Sequence, residues 1–481
     1  MRPRRSNFRQ LLPTPGGVDR PGWARAFLVL AMAALGLSGC TGRMTTASPA
    51  APGAPDTQTA TAEGAPCIEN EQGSACLPVA PESDRVDLAQ PSFSDPSRVE
   101  NPLHPTGRVL SALYLGKSGG SPFRSEVTLL PQLRTIEWNG QQVQALESQY
   151  VAYLDGRIQE VALDWYAQAD DGSVWYLGED VFNYEDGLLA DTHGTWLAGR
   201  DGPAAMIMPA APAVGDVYRP ENAPGIVFEE VSVQSTDVTV EGPSGPVPGA
   251  IVVRELHMDG SYEDKTFAPG YGEFTTGGGN DLEAVALAVP TDARGSAMPP
   301  ELQDLTSGAQ RISDVAGGAD WESAQTTLAD ISSAWDVIRV TDVPPMLETQ
   351  MDEALAVLDR ALKGEIPSEV RQAAIEVARA SVDLQLMYRP ATEIDLARFE
   401  LMLRQLELDW ADADAGAVVG DTTTLEWMRD RFASSLAASD ADRITGLLAE
   451  IRTAADAEDF ESAADAAVLL RAFLASILPP E

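Results

Sequence analysis

The sequence predicts an α+β multidomain fold: an antiparallel β meander, built as a sandwich or an open curled barrel, followed by an α-helical bundle. Three observations carry this. Between residues 105 and 292, ten short segments alternate apolar and polar residues and are rich in Val, Thr and aromatics, the period-two pattern of half-buried strands. Asp-Gly pairs at Asp155, Asp171, Asp186, Asp201 and Asp259 punctuate them, and such pairs favour tight hairpins because Gly takes positive φ without a Cβ clash. From residue 299 the period changes. Trp321, Ala324, Leu328, Ile331, Trp335 and Ile338 recur at steps of three and four, which defines one buried helical stripe.

The first forty residues give an address. Arginines up to Arg25 precede the apolar run "AFLVLAMAALGLSGC", Ala26 to Cys40. That run is too short for a membrane span and suits a signal-peptide core. It ends in Leu37-Ser38-Gly39-Cys40, which resembles the lipobox of bacterial lipoproteins. The resemblance implies cleavage before Cys40, acylation of that cysteine, and a membrane held through its lipid. Loss of residues 1–39 removes six arginines and one aspartate and takes the formal charge from −40 to −45. The expected location is the cell envelope: the outer membrane if the host has one, otherwise the outer face of the cytoplasmic membrane. "PRRSNF" is close to a twin-arginine signal, but its Phe falls one place late.

Residues 40–100 read as a tether rich in Ala, Pro and Thr, with a reach on the order of 40 Å by random-coil scaling. Cys67 and Cys76 are the two cysteines left after acylation, a candidate disulfide in an oxidising compartment. The strands then occupy 101–295 and the helices 299–481. "MLETQMDEALAVLDRAL" places Leu347, Met351, Ala354, Leu358 and Ala361 on one face. Thr392 and Asp395 are spaced to cap another helix, and further helices are expected near Thr422, Asp440 and Asp459. The whole reads as six or so antiparallel helices.

The charge excludes one class of partner. With 73 acidic residues against 33 basic ones, the chain lacks the basic face that nucleic acid requires. No catalytic motif is found. His104, His193 and His257 make no zinc spacing, and no nucleophile elbow, phosphate loop or EF-hand loop survives inspection. No cofactor or metal is therefore expected from sequence.

The stretch "DWYAQADDGSVWYLGED", Asp164 to Asp180, needs its register worked out. A two-residue Asp171-Gly172 turn would set Asp164 against Glu179, a like-charge pair that implies a bound cation or a raised pKa. A three-residue loop, Asp170 to Gly172, separates the faces better. It puts Trp165 and Trp175 in the core and leaves Asp164, Tyr166, Tyr176 and Asp180 together as ligand-binding candidates.

With "GTWLAG", "MIMPAAPAVGDVYRPE" and "FAPGYG", that stretch resembles an uncharacterised family of bacterial secreted proteins and lipoproteins over roughly residues 150–275. The resemblance implies no activity. The expected function is a non-enzymatic, lipid-anchored envelope protein that binds a partner protein or an apolar ligand. The alternatives are a structural scaffold and a divalent-cation binder.

Overall fold

The structure, a computed structural model, describes residues 67–477. Cys40 and its lipobox lie outside these. The first five strands run as successive hairpins: β1 (Ser111–Ser118), β2 (Ser121–Trp138), β3 (Gln141–Leu154), β4 (Arg157–Gln168) and β5 (Val174–Glu185). Short β6 (Leu188–Asp191), β7 (Trp196–Leu197) and β8 (Ala205–Met208) all pair with β5. A second meander follows: β9 (Val217–Ala223), β10 (Val227–Gly242), β11 (Gly245–His257), β12 (Tyr262–Ala268), β13 (Gly272–Gly278) and β14 (Asp281–Val289). β14 returns to pair with β1, so the fourteen strands form one antiparallel sheet ordered 6-5-4-3-2-1-14-13-12-11-10-9. β8 also lies beside β9 without a ladder between them, and this brings the two edges of the open sheet together. The result is the curled open barrel.

Turn chemistry sets the register. Asp155-Gly156 and Asp186-Gly187 both hold positive φ at each residue, and they join Leu154 to Arg157 and Glu185 to Leu188 as two-residue loops of the type that matches strand twist. Gly187 is also a contact point. A Cβ there would stand 2.3 Å from the Gly416 carbonyl and 2.5 Å from the Gly420 nitrogen.

Residues 67–100, assigned to the tether from sequence, lie on the barrel. Cys67 and Cys76 are joined in a disulfide. Leu77 packs with Phe228 and Leu256, and the Val86 N–H donates to the Val217 carbonyl on the edge strand β9.

Eight helices follow: α1 (Pro300–Ala316), α2 (Trp321–Ile338), α3 (Pro345–Gly364), α4 (Pro367–Gln385), α5 (Ala391–Ala411), α6 (Ala415–Phe432), α7 (Ala438–Asp456) and α8 (Phe460–Ile477). In α2, Ala324, Ile331, Trp335 and Ile338 are buried, and Trp321 and Leu328 pack at the margin. The Thr392 cap does not form. Pro390 stands at the N-cap of α5 with no side-chain bond, and Asp395 is buried. The helix expected near Thr422 starts instead at Ala415, where the Asp414 side chain accepts from the Ala417 N–H.

The helices cover the outer face of the sheet along β1, β2, β4 and β14. Leu113, Leu287 and Val289 share one core with Leu302, Leu305 and other helical residues, and Trp427 packs on Val151, Val161 and Phe182. A buried ionic lattice joins the layers. Arg124 on β2 donates to Asp383 at 2.6 and 2.8 Å, and Arg398 donates to the same carboxylate at 2.9 Å. Arg431 reaches Glu126 on β2 and donates to Gln149 on β3 at 2.6 Å. Asp395 lies 3.6 Å from Arg431 and 3.8 Å from Arg398. Three guanidiniums thus face three carboxylates, Glu126, Asp383 and Asp395, which offsets the cost of burying each charge.

Candidate functional site

The residues that alternate with the outward-facing ones point inward, and many of them are polar. They surround a cavity of about 230 Å³ to which β1–β5 and β8–β14 all contribute. Eight carboxylate side chains and six tyrosines line it, with Lys265 as the one lysine or arginine.

The β4–β5 hairpin supplies one wall. The loop is the three-residue one, with the Ala169 N–H bonded to the Ser173 carbonyl, and Tyr166 faces Tyr176. A bulge then shifts the register between Asp164 and Tyr166, so Asp164 faces Glu179 after all. The expected separation of these two acids therefore fails: one extra residue at the bulge reverses which of Glu179 and Asp180 points inward. Asp164, Tyr166 and Tyr176 line the cavity together with Glu179, and Asp180 does not. Trp165 and Trp175 are buried in the core; the Trp165 N–H donates to Glu147 at 2.9 Å.

The Tyr176 hydroxyl donates to Asp164 at 2.7 Å. Burial, more than any neighbour, pushes the Asp164 carboxyl up. Burial and then the charge of Asp164 push Glu179 up. Glu221 and Glu160 are raised well above the ordinary range by the same desolvation and by neighbouring carboxylates. Glu283, bonded by the Ser125 hydroxyl, is pushed up to about 8 by burial and by Glu273. Of the buried oxygens of the lining, Tyr218 Oη and Glu283 Oε2 have no hydrogen-bond partner in the protein, and Glu255 Oε2 has only its ion pair with Lys265.

The opposite wall is different. Lys265 Nζ lies 2.6 Å from Glu255, and His257 Nδ1 lies 3.2 Å from Glu229. Burial opposes the charge of Glu229, but Lys265 and the His257 hydrogen bond overcome it and hold the carboxyl at about 2. Ligand atoms of Glu229, Glu255 and His257 lie within 4.8 Å of one another, a set able to hold a metal ion. Spacing along the chain did not reveal it, because the three residues come from two paired strands.

Residues 92–109 close one end. Ser92 and Ser94 bond the Asp170 carboxylate. The Glu100 and Asn101 N–H groups donate to Gln168 Oε1, and Asn101 Nδ2 donates to the Gly172 and Pro209 carbonyls. His104 sits on Tyr166 at 4.7 Å, Tyr166 stacks on Tyr176 at 4.8 Å, and Tyr176 meets Trp196 edge-on at 5.5 Å. Burial lowers His104 to about 4, so it is neutral at physiological pH.

Among the described residues no helix is long and apolar enough to cross a membrane. No family model matches the chain, and no curated protein matches it.

Proposed function

We propose that the chain is an exported lipoprotein, anchored through Cys40, whose barrel binds a small organic cation. The observation that carries this reading is the lining: eight carboxylates and six tyrosines around about 230 Å³. That volume favours a compact ligand over an acyl chain. An apolar occupant would leave the unfilled acceptors of the lining, Glu283 Oε2 among them, without partners, which is costly. An ammonium group satisfies them, and tyrosine faces attract it as well. The raised carboxyls make binding proton-coupled: a cation arriving at neutral pH displaces protons from the lining.

The test is a thermal-shift panel of choline, ethanolamine and putrescine against the uncharged choline isostere 3,3-dimethyl-1-butanol. Stabilisation by an amine, with none from the neutral isostere, is expected. Equal responses to charged and neutral compounds would contradict the reading. Intact-mass analysis of the membrane-extracted protein tests the anchor: diacylglycerol on Cys40 is expected, and an unmodified residue there refutes it.

A further inference from the structure

We propose that Glu229, Glu255 and His257, at one wall of the cavity, form a site for a divalent transition-metal ion of the zinc type, with Glu263 as the group that orients the imidazole. This goes beyond the organic-cation reading and does not depend on it.

The strand pairing places the residues. Glu229 on β10 stands directly opposite His257 on β11. Glu255 is two residues from His257 on the same strand and therefore shares its inward face. Glu263 on β12 is paired with Glu255. The three proposed ligands are all buried, and their ligand atoms lie within 4.8 Å of one another. Zinc bonds to imidazole nitrogen and carboxylate oxygen at about 2.0–2.2 Å, so small side-chain rotations close the set. Two carboxylates and one imidazole are a donor combination that zinc accepts, with a further position left for water.

A second observation points the same way. His257 Nε2 and Glu263 Oε2 are both buried and lack hydrogen-bond partners. They face each other at 3.8 Å, too far for a hydrogen bond. On the other side of the ring, Nδ1 faces Glu229 at 3.2 Å. A metal taken by Nδ1 fixes the tautomer with the proton on Nε2, which then donates to Glu263. This is the carboxylate–histidine–metal arrangement that recurs around protein-bound zinc, and it gives both orphaned atoms a partner. Lys265, 2.6 Å from Glu255, is the built-in competitor. Its ammonium occupies the charge that the metal would supply, and Glu273 on the neighbouring strand is the carboxylate it can turn to.

The test uses residues 41–481, the mature chain without its lipidated cysteine, stripped with a chelator and titrated with Zn²⁺ and with Co²⁺ as a spectroscopic probe. The expected result is one equivalent retained through gel filtration and visible bands of a low-symmetry Co²⁺ site. H257A and E255Q should each lose it. E263Q should weaken affinity on the order of 10–100-fold, the usual cost of removing a group that orients a metal-bound histidine, while circular dichroism stays that of wild type. K265M should tighten binding. D164N/E179Q, on the opposite wall, should lose amine binding and keep the metal, which separates the two readings. No retained metal, or affinities unchanged in H257A and E255Q, overturns the proposal.

Discussion

Asp164 and Glu179 face each other across the β4–β5 pair inside the barrel, with the Tyr176 hydroxyl bonded to Asp164 at 2.7 Å. Two like-charged side chains directly opposite each other are unfavourable when both are ionised. The pair persists because burial raises both carboxyls and keeps protons on them. A protonated carboxyl is also a hydrogen-bond donor, so the wall can hold itself together until a cation takes the proton's place. E179Q mimics the protonated form permanently. It should leave the fold intact and abolish the gain in affinity for amines as pH rises, measured by titration at pH 6 and pH 9. An undiminished pH effect in E179Q would remove this pair from the binding site.

Stability should fall as the solution becomes more alkaline. Glu283 titrates at about 8 in the folded protein against an ordinary value of 4.5. Between those values the native state holds a proton that the unfolded chain has released. Stability is therefore fully present below about pH 4.5 and is lost as pH rises through 8. The ligand-free melting temperature should drop across that window, and E283Q should flatten the slope. A melting temperature that rises from pH 5 to 8.5 would contradict this.

The ionic lattice should make the barrel dependent on the helices. Removing one partner of a buried pair leaves an uncompensated charge and costs about 3–5 kcal/mol. R431M leaves three buried carboxylates to two guanidiniums, with Glu126 held by Arg124 and Asp395 only by Arg398 at 3.8 Å, and should cost about that much in chemical denaturation. Deleting 299–481 uncovers Leu113, Leu287 and Val289 together with the lattice, so the remaining barrel should aggregate. A soluble, cooperatively folding fragment 67–298 would show that the two layers are independent.

Asn101 should control access to the lumen. Its buried amide bridges the Gly172 and Pro209 carbonyls, and its loss in N101A leaves them unpaired at about 1–3 kcal/mol. Amide exchange in residues 92–109 should speed up, and exchange in the central strands should not.

Gly187 should be intolerant of any side chain. It combines positive φ with backbone of α6 at 2.3 and 2.5 Å. G187A should lower the melting temperature and loosen Trp427 from the sheet, read as a shift in tryptophan emission; unchanged emission would place the docking elsewhere.

Much of this was legible in the sequence, and the reasons for the rest are physical. Period-two alternation located the strands, and Asp-Gly pairs located two of the tight turns. Alternation also tells which residues share a face, but not which face is inside. In "GIVFEEVSVQ" and "AIVVRELHM", Glu229 shares its face with Val227, Val231 and Val233, and Glu255 and His257 share theirs with Ile251 and Val253. Period two therefore puts three polar residues on an apolar face without saying what they meet there. The outer face at that point is covered by the N-terminal segment, with Leu77 packed on Phe228 and Leu256. The bulge opposite Trp165, which exchanges Asp180 for Glu179, was not read, although Gly178, at φ 127° inside β5, is the kind of mid-strand glycine that marks one. The helical stripes of α2 and α3 read directly. The start of α6 did not, because "AGAVVGDTTT" has small and β-branched residues where an amphipathic pattern was sought.

The central claim is that the lumen exchanges protons for a small cation. Isothermal titration calorimetry with the best amine of the panel, run at pH 7.5 in phosphate and in Tris, tests it most directly. The account predicts saturable 1:1 binding whose apparent enthalpy differs between the buffers in the sense of proton release, and loss of both in D164N/E179Q. Binding with equal heats in the two buffers, or binding that survives the double substitution unchanged, would contradict it.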